Sequence, residues 1–435
     1  MSSMPQKHCL ELRDWYGVQT NLSAGEELVN RIHLPCYEEL CGKVYYRAFN
    51  TISMVVRTFL PDETYIYPEL ENGSFSNYTK DARFVRFQLE SSIPLLPVGM
   101  TYDIYDFVGN GAIESFSYGE AVQSVTPYLQ GVVDLNLHFS DLCGVCLPID
   151  EKSAKRKLIQ RGWEDLIEYQ EMEIGGYLSG LGVNCKWTAE KKLCREVVLL
   201  TAGSVNNFTD GEIVVLFENN YIIADGSAVL ALKERGLEGL LGIKTVELCK
   251  ADSGLQTYEQ AVKDFVVEKK AFYRASSLAK AGDYVKIEYA HDVRVYSELY
   301  TSEREYFGIG AVKTDKFAVI PYILKGDLYE QYNPLRRAFI YEVLKIWQKG
   351  YVQTGVCGLH PYTYRKGKDS VLMLINTTVN EYEKIEFSTN LNFTEISVVM
   401  RNGKIQKVSF ERNGEKVSVA LSLEYLSTAT LLLKA

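Results

Sequence analysis

The sequence predicts a multidomain protein in which α/β regions are followed by an all-β region. At 435 residues the chain is longer than one ordinary hydrophobic core accommodates, so we expect several domains. In the first half, apolar strand-like runs alternate with helical patterns, which is typical of parallel βαβ units. Near the end, short alternating runs are separated by Asn402-Gly403 and Asn413-Gly414, dipeptides that favour β-hairpins. We therefore expect a C-terminal β-sandwich over residues 350–435.

The first 137 residues contain three predicted strands, and each strand is followed by a predicted helix. The strands are predicted over residues 31–36, 64–71 and 100–107, and the helices over 48–60, 81–96 and 118–135. Weak helical periodicity also covers residues 17–29. Strands that alternate with helices of this length indicate a parallel sheet.

Residues 138–245 repeat the α/β rhythm, and the pattern indicates an open doubly wound sheet. Predicted strands cover 142–149, 196–201 and 221–224, and predicted helices cover 163–167, 173–181, 210–219 and 228–236. Thr209 is the expected N-cap of the third of these helices. No G-x-G-x-x-G motif is present, so the sequence does not support a dinucleotide cofactor. Residues 246–349 are predicted to be rich in strands, with one amphipathic helix at 335–347.

Composition excludes several classes of function. The formal net charge of -9 argues against a nucleic-acid partner, which a basic surface would have to neutralise. No apolar stretch approaches the roughly 20 residues of a membrane span, and no secretory signal is visible, so we expect a cytoplasmic protein. The nine cysteines indicate reduced thiols. Cys143 and Cys146 form a CxxC inside an apolar run, which favours buried strand cysteines over a metal or redox site, and no cofactor is predicted.

Acidic residues mark the ends of two predicted parallel strands. Glu69 and Glu71 are two residues apart, so on a strand they share one face while Leu70 points the other way. The next strand ends with Asp103 and Asp106 among aromatic residues. Ligands of parallel sheets bind beyond the carboxyl ends of the strands, so these acids are candidates for catalysis. The alternative is that Glu69 and Glu71 are solvated carboxylates of a loop.

The order of these motifs resembles a known family of enzymes. Leu70-Glu71-Asn72, a helix with Arg86 and Gln88, and a Tyr-rich strand are together similar to the last two βα units of clan A glycoside hydrolase barrels, near the family 42 β-galactosidases. The segment from Tyr221 through Asp225-Gly226 to Gly242 looks like the flavodoxin-like trimerisation domain that follows that barrel. The resemblance implies an incomplete (β/α)8 barrel at 1–137, a flavodoxin-like domain at 138–245 and the terminal β-sandwich.

The resemblance also implies roles for individual residues in binding and cleaving a carbohydrate substrate. Glu71 matches the position of the nucleophile, and Glu69 competes for it because a slip of two residues keeps the same face. Tyr105 and Asp106 would line the mouth of the site, whereas an odd offset would turn Asp103 away. A cluster before the first helix would face the sugar, or would alternatively be a frayed N-terminal segment: His8, Glu11, Arg13, Asp14 and Trp15.

One departure from the family decides the expected function. The family takes its acid/base from the end of the fourth barrel strand, and this chain begins at what would be the end of the fifth. We therefore expect a C-terminal portion of a retaining glycoside hydrolase of carbohydrate metabolism, without its acid/base carboxylate. The alternative is a non-catalytic carbohydrate-binding or oligomerisation module that forms a homotrimer or homodimer. An amidotransferase-like enzyme is disfavoured because no cysteine follows the strand at 196–201.

Overall fold

A computed structural model provides the three-dimensional structure. It describes residues 29–32, 34–35, 38–39, 41–73, 80–105, 116–150, 170–250, 257–277, 283–324, 331–347 and 349–435. The helical pattern at 17–29 lies outside these residues except for Val29, which begins a strand, and the predicted helix at 163–167 lies outside them entirely.

The first region has four short parallel strand segments in two two-stranded sheets, and the first segment precedes the range 31–36 that the sequence predicts. Val29–Asn30 pairs with Tyr65–Ile66, and Glu69–Glu71 pairs with Thr101–Asp103. The strand predicted at 64–71 is interrupted at Pro68, which has no backbone N–H to donate to a neighbouring strand. The helices that follow the strands are Gly42–Thr51, Ser53–Thr58, Ala82–Ser91 and Tyr118–Val133, and a short 3-10 turn covers Ile93–Leu95.

The helices cover one face of this small sheet. Helix Ala82–Ser91 begins at Asp81, whose carboxylate accepts a hydrogen bond from the Phe84 backbone N–H at 2.7 Å. Its apolar side packs in the same core as Ile66 and Leu70. The opposite face of the sheet carries Val29 and Tyr65, which are 64% and 44% exposed. This face is thus exposed at Val29 and Tyr65 but not at Glu69, which is 5% exposed.

The middle region is built on a seven-stranded sheet with a parallel core of five strands. From one side to the other the parallel strands are Cys185–Thr188, Val145–Pro148, Val197–Leu200, Tyr221–Asp225 and Phe317–Ile320. The antiparallel strands Val312–Lys313 and Arg294–Val295 complete the sheet. The surrounding helices are Gln170–Gly180, Ala202–Val205, Asp210–Asn219 and Gly226–Glu234, with 3-10 turns at Phe139–Asp141 and Glu238–Leu241. The boundary expected at residue 245 stays a prediction, although this sheet takes in Phe317–Ile320.

Antiparallel strands and one helix connect the middle region to the C-terminal region. Ile243–Cys249 pairs with Tyr284–Tyr289. A four-stranded sheet contains, in spatial order, Arg274–Ser277, Thr257–Ala261, Ser297–Thr301 and Tyr306–Ile309. Helix Pro334–Leu344 is tied to this sheet by a buried ion pair of 2.7 Å between Arg336 and Glu259.

Two antiparallel sheets form the C-terminal region and share one apolar core. The four-stranded sheet contains, in spatial order, Val352–Thr354, Ile385–Thr389, Lys416–Val419 and Phe410–Asn413. The six-stranded sheet contains Ile405–Val408, Glu395–Val399, Ser427–Lys434, Asp369–Asn376, Leu359–Lys366 and Leu142–Cys143. Both predicted Asn-Gly hairpins are confirmed, and Gly403 and Gly414 have the positive φ angles of 78° and 61° that such turns require.

A buried carboxylate ties the first region to the C-terminal sheets. Glu90, on helix Ala82–Ser91, forms an ion pair of 2.8 Å with Arg401 and another of 3.3 Å with Arg86. The backbone N–H and the hydroxyl of Thr428 also donate to Glu90 Oε2, each at 3.2 Å. Helix Ala82–Ser91 therefore has a fixed position on strand Ser427–Lys434.

No helix among the described residues combines the length and apolar character that crossing a lipid bilayer requires.

We expect Glu90→Gln to lower the free energy of unfolding by about 1.5–3 kcal/mol, because it removes the charge of a buried carboxylate that accepts two hydrogen bonds from Thr428 and pairs with Arg401. Equilibrium unfolding in urea measures the change. Glu288→Gln is the matched control, since Glu288 pairs with Lys244 on the surface and such pairs contribute little. Equal losses in the two variants would show that Glu90 does not hold the regions together.

Asp225 provides a pH-dependent test of the middle sheet. Its Oδ1 accepts hydrogen bonds from Ser227 Oγ at 2.7 Å and Ala228 N at 2.8 Å, and its Oδ2 accepts one from Leu324 N at 3.0 Å. Complete burial raises the pKa of Asp225 to about 7. The folded chain therefore keeps this proton up to about pH 7, whereas an unfolded chain releases it near pH 4.

Because the folded state binds the extra proton, its stability relative to Asp225→Asn should fall as the pH rises from about 4 to about 7. The slope approaches about 1.4 kcal/mol per pH unit within that window. Thermal unfolding at a series of pH values measures this pH dependence of stability. Asp292→Asn, at an exposed position, is the control, and its stability should vary with pH in parallel with that of the unmodified chain. A stability relative to Asp225→Asn that rises or stays constant between about pH 4 and pH 7 would contradict this account.

Candidate functional site

The candidate site lies at the carboxyl ends of the parallel strands of the first region. Glu69 is in register with Thr101, and Glu71 is in register with Asp103. Residues in register on parallel strands point to the same face, so Glu69, Glu71 and Asp103 share one face. Leu70 points into the core on the other face. The expectation that an odd offset turns Asp103 away is therefore wrong, because the pairing register places it beside Glu71.

Glu69 is held by an arginine from the neighbouring strand segment. Arg31 Nη1 lies 2.5 Å from Glu69 Oε1, and the Glu69 residue is only 5% exposed. The side chain of Arg31 is 60% exposed and reaches Glu69 from the solvent side. A carboxylate this buried needs a compensating charge, and Arg31 supplies it.

Glu71 is half-buried and is the last residue of the strand, two residues after Glu69. The ammonium of Lys80 donates a hydrogen bond to the Glu71 backbone carbonyl, and the Tyr118 hydroxyl donates to the Lys80 carbonyl at 2.6 Å. Asn72 then joins the two strand ends, since its backbone N–H donates to Asp103 O at 2.8 Å and its Nδ2 donates to Ile104 O at 2.9 Å. These bonds fix the backbone that presents Glu71.

Asp103 is in a different electrostatic environment from Glu69. Burial raises the pKa of Asp103, and the nearby Arg31 guanidinium partly opposes that rise in pKa. Glu69 is thus paired with Arg31, while Asp103 favours the protonated form more than an ordinary aspartate does. Carboxyl groups in such different environments can serve different roles in acid–base chemistry.

Two basic residues of the site, Arg31 and Lys80, are not among the residues singled out from the sequence. A signal for Arg31 existed, because it alternates with the apolar Ile32 and Leu34 in a strand-like run and so had to face away from the core. Lys80 follows a polar loop and carries no comparable pattern.

The remaining residues that the sequence singled out either make contacts away from the acids or lie outside the described ranges. The Tyr105 ring packs near the Tyr118 ring, with centroids 6.1 Å apart. Arg86 pairs with Glu90 and Glu424, and Gln88 Nε2 donates to Pro35 O, so the described contacts of this motif are structural. Six residues predicted to line the sugar site lie outside the described part of the chain: His8, Glu11, Arg13, Asp14, Trp15 and Asp106.

Metal-binding geometry is not found within the described ranges, where no three His, Cys, Asp or Glu side chains gather closely enough to hold an ion. Of the CxxC pair, Cys146 is buried in the middle sheet and Cys143 is partly buried, and both are free thiols. Burial raises the pKa of the Cys146 thiol to about 12, which makes it a poor metal ligand or nucleophile.

We expect Arg31→Met to raise the pKa of Asp103 further, because the substitution removes the positive charge that opposes the effect of burial. Carbon-detected NMR titration of the Asp103 carboxyl measures it. Lys316→Met removes an exposed charge from the middle region and should leave the Asp103 titration unchanged. An unchanged or lowered pKa in Arg31→Met would mean that Arg31 does not act on this site.

Comparison with known proteins identifies similar folds. No protein-family model matches the sequence, and no curated protein matches it. Among solved structures, α-L-fucosidase isoenzyme 2 from Paenibacillus thiaminolyticus has a TM-score of 0.61 and 12% identity, covering 93% of this chain and 65% of that one. A β-galactosidase from Rahnella sp. R3 has a TM-score of 0.57 and 10% identity, with 97% and 62% covered.

A GH42 β-galactosidase from G. stearothermophilus has a TM-score of 0.54 and 10% identity, and the match covers 97% of this chain and 61% of that one. This chain therefore spans less than two thirds of the length of these three structures. At such low identity the similarity is one of fold. The resemblance to clan A glycoside hydrolases is confirmed at that level: over most of its length the chain folds like the corresponding part of these enzymes.

Proposed function

We propose that the chain carries part of the active site of a retaining glycoside hydrolase of the β-galactosidase type. The observation that carries this proposal is the position of Glu71, half-buried at the carboxyl end of a parallel strand and on the face of the sheet opposite to Leu70. Parallel α/β sheets bind their ligands at this end. A β-galactoside is the proposed substrate, because two of the three solved structures described above are β-galactosidases.

Glu71 fits the role of nucleophile better than Glu69. The carboxylate of Glu69 is engaged by Arg31 at 2.5 Å and is almost inaccessible, so a sugar carbon would have to displace the guanidinium. Glu71 stands beyond this ion pair and nearer to solvent. In this proposal, Arg31 and Glu69 form a fixed pair behind the nucleophile that contributes to the charge and shape of the site.

We propose that the described residues at the strand ends do not include the acid/base partner. Retaining enzymes use two carboxyl groups about 5–5.5 Å apart that flank the glycosidic bond. Asp103 lies on the strand next to Glu71, only about 4.8 Å away in backbone spacing, but it points in the same direction. Both groups would approach the sugar from one side, so Asp103 cannot protonate the leaving group on the opposite side.

We infer that the first region corresponds to three βα units of an incomplete (β/α)8 barrel. Its parallel strand segments and intervening helices support that assignment. We infer also that the middle region is flavodoxin-like. Across its parallel sheet the strands run second, first, third, fourth and fifth in chain order, which is the flavodoxin order.

The proposal predicts strong dependence on the leaving group. General acid catalysis contributes about 10²–10⁴-fold when the departing group is a poor one, and nothing when the group leaves as a stable anion. The chain should therefore release dinitrophenolate slowly but measurably from 2,4-dinitrophenyl β-galactoside, and release almost no methanol from methyl β-galactoside. Absorbance and gas chromatography measure the two products.

Glu71→Gln should abolish the release of dinitrophenolate, because the amide cannot attack the sugar. Glu288→Gln is the matched control, since it makes the same chemical change on a remote surface and should keep the full rate. Rapid cleavage of both substrates, or a rate unaffected by Glu71→Gln, would contradict the assignment.

A further inference from the structure

A groove of about 510 Å³ is lined by residues between Val266 and Ser418, which are distant in sequence from the strand-end site. It is bounded by helix Pro334–Leu344, by the outer face of the sheet that contains Ile385–Thr389, and by the turn around Glu268. Its volume is within the range of about 300–1,000 Å³ that is common for small-molecule sites. None of the residues assigned to the strand-end site lines it.

The sheet wall of the groove is a regular grid of hydrogen-bonding side chains. Gln353, Ser388, Lys416 and Asn413 are in register on four neighbouring strands and form one row. A second row in register contains Glu386, Ser418 and Glu411. Neighbouring strands are about 4.8 Å apart, so donors and acceptors repeat at that spacing across the wall. The residues between them, such as Phe387 and Val417, point into the core.

The facing wall is largely apolar. Pro334, Ala338 and Tyr341 lie on one side of the helix at a spacing of four and three residues. The Tyr341 hydroxyl donates a hydrogen bond of 3.0 Å to Glu415, which fixes the position of the ring. Val266, which is 60% exposed, adds apolar surface from the turn side. A ligand in the groove would therefore meet polar groups on one side and apolar groups on the other.

The turn at the rim has a costly backbone conformation. Glu268 and Lys269 both have positive φ angles, 49° and 60°, and Val267 and Lys270 exchange backbone hydrogen bonds of 2.8 Å and 3.2 Å around them. A two-residue turn of this kind normally uses Asn-Gly, because other side chains are strained there. Such strained residues cluster at ligand-binding sites, and this turn positions Val266 and Glu268 at the groove.

We propose that this groove binds a neutral oligosaccharide. The lining carries three acidic residues and two basic residues, so its net charge is small: Glu268, Glu386, Glu411, Arg337 and Lys416. A strongly charged ligand would therefore gain little binding energy from electrostatic attraction. A pyranose ring has apolar C–H faces and hydroxyl groups at its edge, which match the apolar helix wall and the polar grid. The groove would be a second carbohydrate site that holds a saccharide chain without cleaving it.

Isothermal titration calorimetry of the full chain with β-1,4-galactohexaose and with cellohexaose tests the proposal. At least one of the two should bind. Ser418→Trp should weaken that binding by at least about tenfold, since the indole fills the groove. The exposed Ser422 does not line the groove, so Ser422→Trp is the matched control and should bind as the unmodified chain does. The pair Ser388→Ala and Ser418→Ala removes two hydroxyls with little change in volume and should also weaken binding.

Glu71→Gln separates this groove from the strand-end site, because binding to the groove should survive that substitution. Three outcomes would overturn the proposal: neither hexasaccharide binds, binding survives Ser418→Trp, or binding is lost in Glu71→Gln alone. The last would place the saccharide at the strand ends and support the proposed nucleophile site. A neutral Ser-Gly hexapeptide that binds as tightly as the sugars would identify the groove as a peptide site and would also overturn it.

Discussion

The buried carboxylate of Glu90 is the interaction on which the geometry of the candidate site depends. Glu90 forms ion pairs with Arg86 of its own helix and with Arg401 of a hairpin. It also accepts hydrogen bonds from the backbone N–H and the hydroxyl of Thr428 on a neighbouring strand. The same helix packs behind strand Glu69–Glu71, which presents the candidate nucleophile. Two-stranded sheets such as these have little stability of their own, so attachment to the large C-terminal core holds the strand of Glu71 in place.

The charges at the strand ends follow from the same architecture. Helices cover one face of the small parallel sheet, and on the face that bears the acids Val29 and Tyr65 are exposed whereas Glu69 is buried. Arg31 neutralises the most buried acid, Glu69, while Glu71 stays nearer to solvent. The two acids of this strand therefore differ in environment: Glu69 is buried and paired with Arg31, whereas Glu71 is only half-buried.

Local features of this fold were predictable from the sequence, and long-range pairings were not. The Asn-Gly hairpins and the Thr209 cap, completed by Glu212, depend on residues within a few positions of each other. The register between Glu71 and Asp103 depends on two strands separated by a helix, so alternation along one strand gave the wrong face for Asp103. The placement of Phe317–Ile320 beside Tyr221–Asp225 and the contact between Glu90 and Thr428 join distant parts of the chain, which periodicity cannot reveal.

The most direct test of the central claim is to locate a covalent sugar on the chain. A 2,4-dinitrophenyl 2-deoxy-2-fluoro-β-galactoside needs no general acid to lose its leaving group, and its fluorine slows hydrolysis of the glycosyl ester. Peptide mass spectrometry after incubation should find one added fluorosugar on Glu71, and none in Glu71→Gln. A label on Glu69 or Asp103, or no label after prolonged exposure, would contradict the assignment of Glu71 as the nucleophile.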